Sequence, residues 1–167
     1  SSTMQCGDSH IFIAGDANNQ LPLLHEASDE GRIAGANAAR FPKVETGHRR
    51  SPLNVVFCDP QMAIAGWSHT EIIEKGFDYI TGKVSFENQG RSRVMLVNKG
   101  MMHIYAERNS GLFLGAEIFG PRAENLGHLL SWSHQQKLTV SEMLDMAFYH
   151  PVIEEGLRTA LRDAKSQ

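Results

Sequence analysis

The chain has 167 residues, 41% of them apolar, enough for a real core in one compact domain or in a small domain with an appendage. Sixteen basic and nineteen acidic residues give a formal charge of -3 with the signs interspersed, which argues against a nucleic-acid footprint or a polybasic membrane patch. No apolar run approaches a membrane span and SSTMQCGDSH lacks a signal-peptide layout, so a soluble, cytoplasmic protein with neither nucleic acid nor membrane as partner is expected.

In chain order, Ile11–Ala14 is a β-branched and aromatic run that stops at Gly15-Asp16, predicting a buried strand that ends in a turn. Asn18, Asn19 and Pro22 mark a loop, and Leu24 to about Arg40 reads as a helix. Ala27, Gly31, Ala34, Gly35 and Ala38 recur at helical spacing and leave one side almost without side-chain volume. Each interior glycine costs ~1 kcal/mol relative to alanine, so tight packing on a sheet, or close approach of another backbone or a bound group, is expected to compensate. The polar, aperiodic stretch PKVETGHRRS is a linker and divides the chain into 1–50 and 51–167.

Beyond it, strands are predicted at Leu53–Phe57 and Met62–Trp67, broken at Asp59-Pro60, with a helix over Thr70–Lys75 that Gly76 ends. Strand-like runs follow at Tyr79–Phe86, Arg93–Asn98, Met102–Arg108 and Leu112–Ile118, and their short connections imply hairpins in an antiparallel sheet. Helices over Pro121–Gln136, Val140–Met146 and Val152–Ala164 close the chain, with Thr139 and Glu142 as a capping box. Strands followed by helices indicate an α+β fold, an antiparallel sheet with flanking helices preceded by a strand–helix segment.

No dinucleotide fingerprint GxGxxG, no Walker loop and no CxxxxC redox pair occurs. Cys6 and Cys58 match no disulfide framework and read as reduced thiols, Cys58 in or near the core because its flanks are apolar. The eight histidines lack metal-ligand spacing, so no metal site is predicted. Asp16 reads either as a solvated turn residue or as a carboxylate presented to a ligand hydroxyl. Leu23, Leu24 and His25 open a helix whose free N–H groups favour an electron-rich ligand atom, a property every helix start shares.

The run FYHPVIEEGLRTAL offers more. Proline suits a first helical turn, and His150 before it is pushed toward extended backbone, which puts its imidazole at the helix mouth. Ile153, Leu157, Ala160, Leu161 and Ala164 form the buried stripe, while Glu154 and Glu155 fall in the first turn, where the helix dipole favours them. Two readings stand: an ordinary helix start with Glu155 paired to Arg158 or Arg162, or a His–acid dyad in which a carboxylate orients the imidazole.

HIFIAGDANNQLPLLHEASDEGRIAGANAA, PLNVVFCDPQMAIAGWS, GLFLGAEIFGPRAENLGHLL and LTVSEMLDMAFYHPVIEEGLRTAL, in that order, resemble the C-terminal third of the pyridine nucleotide-disulfide oxidoreductases, most of all the dihydrolipoamide dehydrogenases. The resemblance implies that 1–50 is the tail of an FAD-binding domain and 51–167 a dimerisation domain. It implies FAD and NAD as cofactors of a full-length parent, a small thiol or disulfide substrate, and a homodimer. It makes Asp16 the ligand of the FAD ribityl chain, with Leu24 N–H near the flavin and Leu23 and His25 flanking. His150 becomes the acid/base serving the partner subunit's active site and Glu155 its orienter. The family's His-x-His-Pro reads Phe148-Tyr149-His150-Pro151 here, without the first histidine, and cysteine at 58 replaces a common threonine. Taken alone the chain is expected to be inactive. A purely self-associating module working through the sheet and last helices, or a glutathione reductase-like or soluble transhydrogenase-like member, are the alternatives.

Overall fold

Helical residues outnumber strand residues in this chain, and the strands of the larger unit pair into one antiparallel sheet. The computed structural model describes residues 2–167 and divides into two compact units, Ser1–Arg50 and Ser51–Gln167.

In the first unit a 3-10 helix, Gly15–Asn18, precedes α1, Leu24–Arg40. The strand expected at Ile11–Ala14 is not formed. A strand needs neighbouring N–H and C=O groups, and this segment pairs through a single bridge, Gln5 to Phe12. Met4, Ile33 and Ala34 make a small apolar core with Phe12 and Ala14 packed on it. Of the small residues of α1, Gly31 and Gly35 are uncovered within their unit, since a Cβ added at either would meet nothing within 4 Å, while Ala34 is buried in its core. The helix also buries acids: Glu26, Asp29 and Glu30. Arg49 reaches Glu26 at 2.7 Å and Glu30 at 3.1 Å, and Arg50 grips Asp29 through two bonds of 2.6 and 3.0 Å. Buried carboxylates are tolerated when paired and hydrogen-bonded in this way.

The second unit is α+β. Five antiparallel strands, β1 (Leu53–Val56), β2 (Gln61–Gly66), β3 (Tyr79–Ser85), β4 (Met101–Glu107) and β5 (Phe113–Gly120), lie in the order β1-β2-β5-β4-β3. Helices α2 (His69–Glu74), α3 (Gly90–Val94), α4 (Ala123–Gln135), α5 (Val140–Leu144) and α6 (Glu155–Lys165) complete it. One face of the sheet, with Ala63, Ala65, Met102, Ile104, Ala116 and Ile118, packs under α4 and α6. On the other face α2 covers Tyr105 and Leu114 with Ile72. There burial, and then donation to Glu117 at 2.8 Å, pushes the Tyr105 hydroxyl well above the ordinary phenol range.

The run Arg93–Asn98 is not a strand. Gln89 caps α3 by accepting from the Ser92 N–H at 2.6 Å, and Leu96 then turns the chain with φ 58°. Of the apolar side chains that suggested a strand, Val94 and Leu96 stay outside while Met95 packs against the core. Cys58 is also exposed rather than in the core, since the turn between β1 and β2 holds it at the surface. The capping box of Thr139 and Glu142 and the buried stripe of α6 form as their residues predict.

Phe86 locks the start of α6. Its ring is fully buried, and a Cβ at Gly120 or Gly156 would stand 2.6 or 2.9 Å from it. Replacement of Phe86 by alanine empties this wedge, and the expected loss is ~3–5 kcal/mol of unfolding free energy, read from the urea midpoint at unchanged slope.

Candidate functional site

The candidate residues fall in two places, one in each unit. In the second unit α6 begins at Glu155, not at Val152, so Pro151 stands in the preceding loop and not in a first helical turn; Glu154 is the N-cap. The loop has other anchors. Ile153 is buried, Gln89 donates its side-chain amide to Val152 O at 2.7 Å, and the Val152 N–H reaches Glu155 Oε2 at 3.3 Å.

His150 folds back over this loop onto the carboxylate, with Nδ1 2.9 Å from Oε2 and 3.1 Å from Oε1 of Glu155. Arg158, one turn along α6, donates to Oε1 at 3.0 Å, so the pairing goes to Arg158 and not to Arg162. The Arg158 guanidinium lies 5.7 Å from the ring centre of Phe148, which packs against the core. A chain of contacts from Phe148 through Arg158 to Glu155 thus orients the imidazole. Hydrogen bonding from His150, then the Val152 N–H and the charges of His150 and Arg158, holds Glu155 below the ordinary carboxylate value of 4.5, against its partial burial.

The side chain of Glu155 is 17% exposed and that of His150 80%. An Nδ1–H given to a carboxylate leaves the Nε2 lone pair as the free basic atom. The arrangement can therefore accept a proton at Nε2 and hold the resulting imidazolium against a fixed negative charge.

In the first unit the 3-10 turn carries Asp16 with its carboxylate exposed and without a hydrogen bond or ion pair among the described residues. The turn's shape comes from Glu30, which accepts from Gly15 N–H at 2.8 Å and Asn18 Nδ2 at 2.6 Å. Gly15, at φ +73°, seats the turn against the first turn of α1, where a Cβ would already lie 3.3 Å from that of Ala27. Leu23 is the N-cap of α1 and supplies no capping side chain; Leu24 is 89% exposed; His25 lies 3.9 Å from Glu26. Asp16 and an uncapped helix start are thus neighbours. Glu30 and Arg49 were not singled out from the sequence; a glutamate deep in a helical pattern, followed later by paired arginines, was the available signal.

Cys6 and Cys58 are free and belong to different units. Among the described residues no cluster of three metal-ligating side chains occurs, and no helix is long and apolar enough to cross a membrane.

The sequence profile of the pyridine nucleotide-disulphide oxidoreductase dimerisation domain matches residues 53–161. The chain belongs to this family. Dihydrolipoyl dehydrogenase of Haloferax volcanii is 30% identical over 159 residues, covering 95% of this chain and 33% of that protein. The Bacillus subtilis dihydrolipoyl dehydrogenase is 30% identical over 146 residues, covering 87% and 31%. The chain therefore spans about a third of the length of these relatives. Among solved structures, LpdA from Mycobacterium tuberculosis superposes with a TM-score of 0.81 at 23% identity, over 97% of this chain and 35% of that one. RclA from Escherichia coli, a flavoprotein disulfide reductase, superposes with a TM-score of 0.77 at 19% identity, over 99% and 37%. The five-stranded antiparallel sheet and its helices are the fold of this dimerisation domain.

For a carboxyl held down by a partner in the folded state, the stabilisation is present above its unfolded pKa and is lost as pH falls through the folded one. A carbon-13 titration of the Glu155 carboxyl is expected to give a midpoint below 4.5, and His150→Gln to move it upward toward that value.

Proposed function

We propose that this chain is the C-terminal portion of a dihydrolipoamide dehydrogenase-like flavoprotein disulfide reductase. In this reading residues 51–167 dimerise and His150 works as acid/base at the thiol–disulfide site of the partner subunit. The observation that carries the reading is the His150 pair with Glu155 at 2.9 Å, a half-buried carboxylate holding an exposed imidazole. Nothing in its own unit encloses the Nε2 side, so a substrate thiol must be brought to it by another surface. His150 takes the proton as the thiol becomes a thiolate nucleophile, and returns it when the product thiol leaves. Glu155 fixes the tautomer and Arg158 fixes Glu155; both are positioning residues.

The first unit suits a tail of an FAD domain. The free Asp16 carboxylate fits a ribityl hydroxyl, and the Leu24 N–H, between Leu23 and His25, fits a carbonyl oxygen of the flavin ring. FAD bound there would supply the two-electron acceptor between the disulfide and NAD. The chain by itself is expected to be inactive, because its two cysteines form no redox pair.

Self-association is supported by an apolar hollow that Trp132 and Tyr149 line, 63% and 80% exposed, Tyr149 being the residue before His150. In the full-length flavoprotein, His150→Gln is expected to lower turnover with dihydrolipoamide ~10²–10⁴-fold at unchanged flavin content; near-normal turnover removes the assigned role. Asp16→Ala is expected to do the reverse, lowering the flavin-to-protein absorbance ratio of the purified enzyme, and unchanged flavin content excludes it as a cofactor ligand.

A further inference from the structure

The turn that carries Asp16 is tied down on both sides of it. Oε2 of Glu30, a fully buried residue of α1, accepts from the Gly15 N–H at 2.8 Å and from Asn18 Nδ2 at 2.6 Å. Asn18 Oδ1 accepts from the Gln20 N–H at 2.8 Å, and Arg49 donates to Gln20 Oε1 at 2.8 Å. The same guanidinium reaches inward to Glu26 Oε2 at 2.7 Å and Glu30 Oε1 at 3.1 Å. Gly15, Asn18 and Gln20 are thus fixed by Glu30 and Arg49, while the exposed Asp16 carboxylate makes no hydrogen bond or ion pair among the described residues.

Glu26 and Glu30 stand one helical turn apart, 4% and 0% exposed, and carboxylates at that spacing repel. Arg49 bridges the two. Such a buried pair is tolerated with a counter-charge and filled acceptor sites. Removal of Arg49 leaves two buried like charges that push apart, and the hold of Glu30 on Gly15 and Asn18 loosens with them. A loop that is already ordered when its ligand arrives loses little conformational freedom on binding, and a loosened one loses more.

We propose that Glu30 and Arg49 are positioning residues for the flavin cofactor: acting from behind the turn, they preset the backbone that aims Asp16 at a ribityl hydroxyl. The inference rests on the reading of Asp16 as an FAD ligand and adds the residues through which that ligand is held in place.

A double-mutant cycle in the full-length flavoprotein tests it, read as the FAD dissociation constant from titration of the apoprotein followed by flavin fluorescence. E30Q and R49A are each expected to raise that constant about 10-fold or more, the loss of a charge-assisted contact, with the circular dichroism of the apoprotein unchanged. In a D16A background neither is expected to raise it further, because each acts through a carboxylate already removed. R49K keeps the charge and is expected to recover most of the affinity that R49A loses. If E30Q and R49A bind FAD like the wild type while D16A does not, or if their effects add in full to that of D16A, the two residues serve the fold alone; the inference is then wrong and the reading of Asp16 stands. If D16A itself binds FAD unchanged, both fail. Should E30Q not fold, R49A decides, since it leaves the Glu30 carboxylate and its two turn donors in place.

Discussion

The ring of Phe86 fixes the first turn of the last helix against the sheet, and the geometry of the His150–Glu155 pair follows from it. Gly120 at the end of β5 and Gly156 in the first turn of α6 have no Cβ, and the ring occupies the space those atoms would take. A second close approach lies further along, where a Cβ at Gly82 of β3 would stand 2.1 Å from the carbonyl oxygen of Ala160. Helix and sheet therefore touch backbone to side chain and backbone to backbone, and α6 has little freedom to slide or rotate. Glu155 directly precedes Gly156, so the carboxylate that orients His150 inherits its position from these two contacts.

Glu155 and His150 lie at different depths. The carboxylate sits half-buried between Arg158, the Val152 N–H and the imidazole, all of which favour its ionised form. The imidazole stands outside with one nitrogen committed and one free. Phe148 contributes through the face it offers to Arg158. A change there alters packing and charge orientation together, because the aromatic ring belongs both to the core and to the chain of contacts ending at His150.

Elements defined by local chemistry were legible in the residues. The capping box of Thr139 and Glu142, the span of α1 and the α6 stripe depend on spacings of three and four, which a chain displays openly. What depended on distant partners was not. The apolar residues of Arg93–Asn98 have strand composition but no neighbour to pair with, and Ile11–Ala14 finds only the short stretch around Gln5. The adjacency of β2 and β5 in the sheet is likewise a long-range fact. The His150–Glu155 pairing was readable as a candidate, yet its geometry was not. Five residues apart on a continuous helix the two side chains would diverge, and they meet because residues 151–154 form a loop and the helix starts at Glu155.

In the first unit, the turn that presents Asp16 is shaped by a residue elsewhere. Glu30 holds Gly15 and Asn18 from within α1, and Arg49 in turn holds Glu30. The shape of this segment is consequently set by side chains other than that of Asp16. The Asp16 side chain can change without reshaping the loop, whereas a change at Glu30 removes the bonds to Gly15 and Asn18 and takes one partner from Arg49.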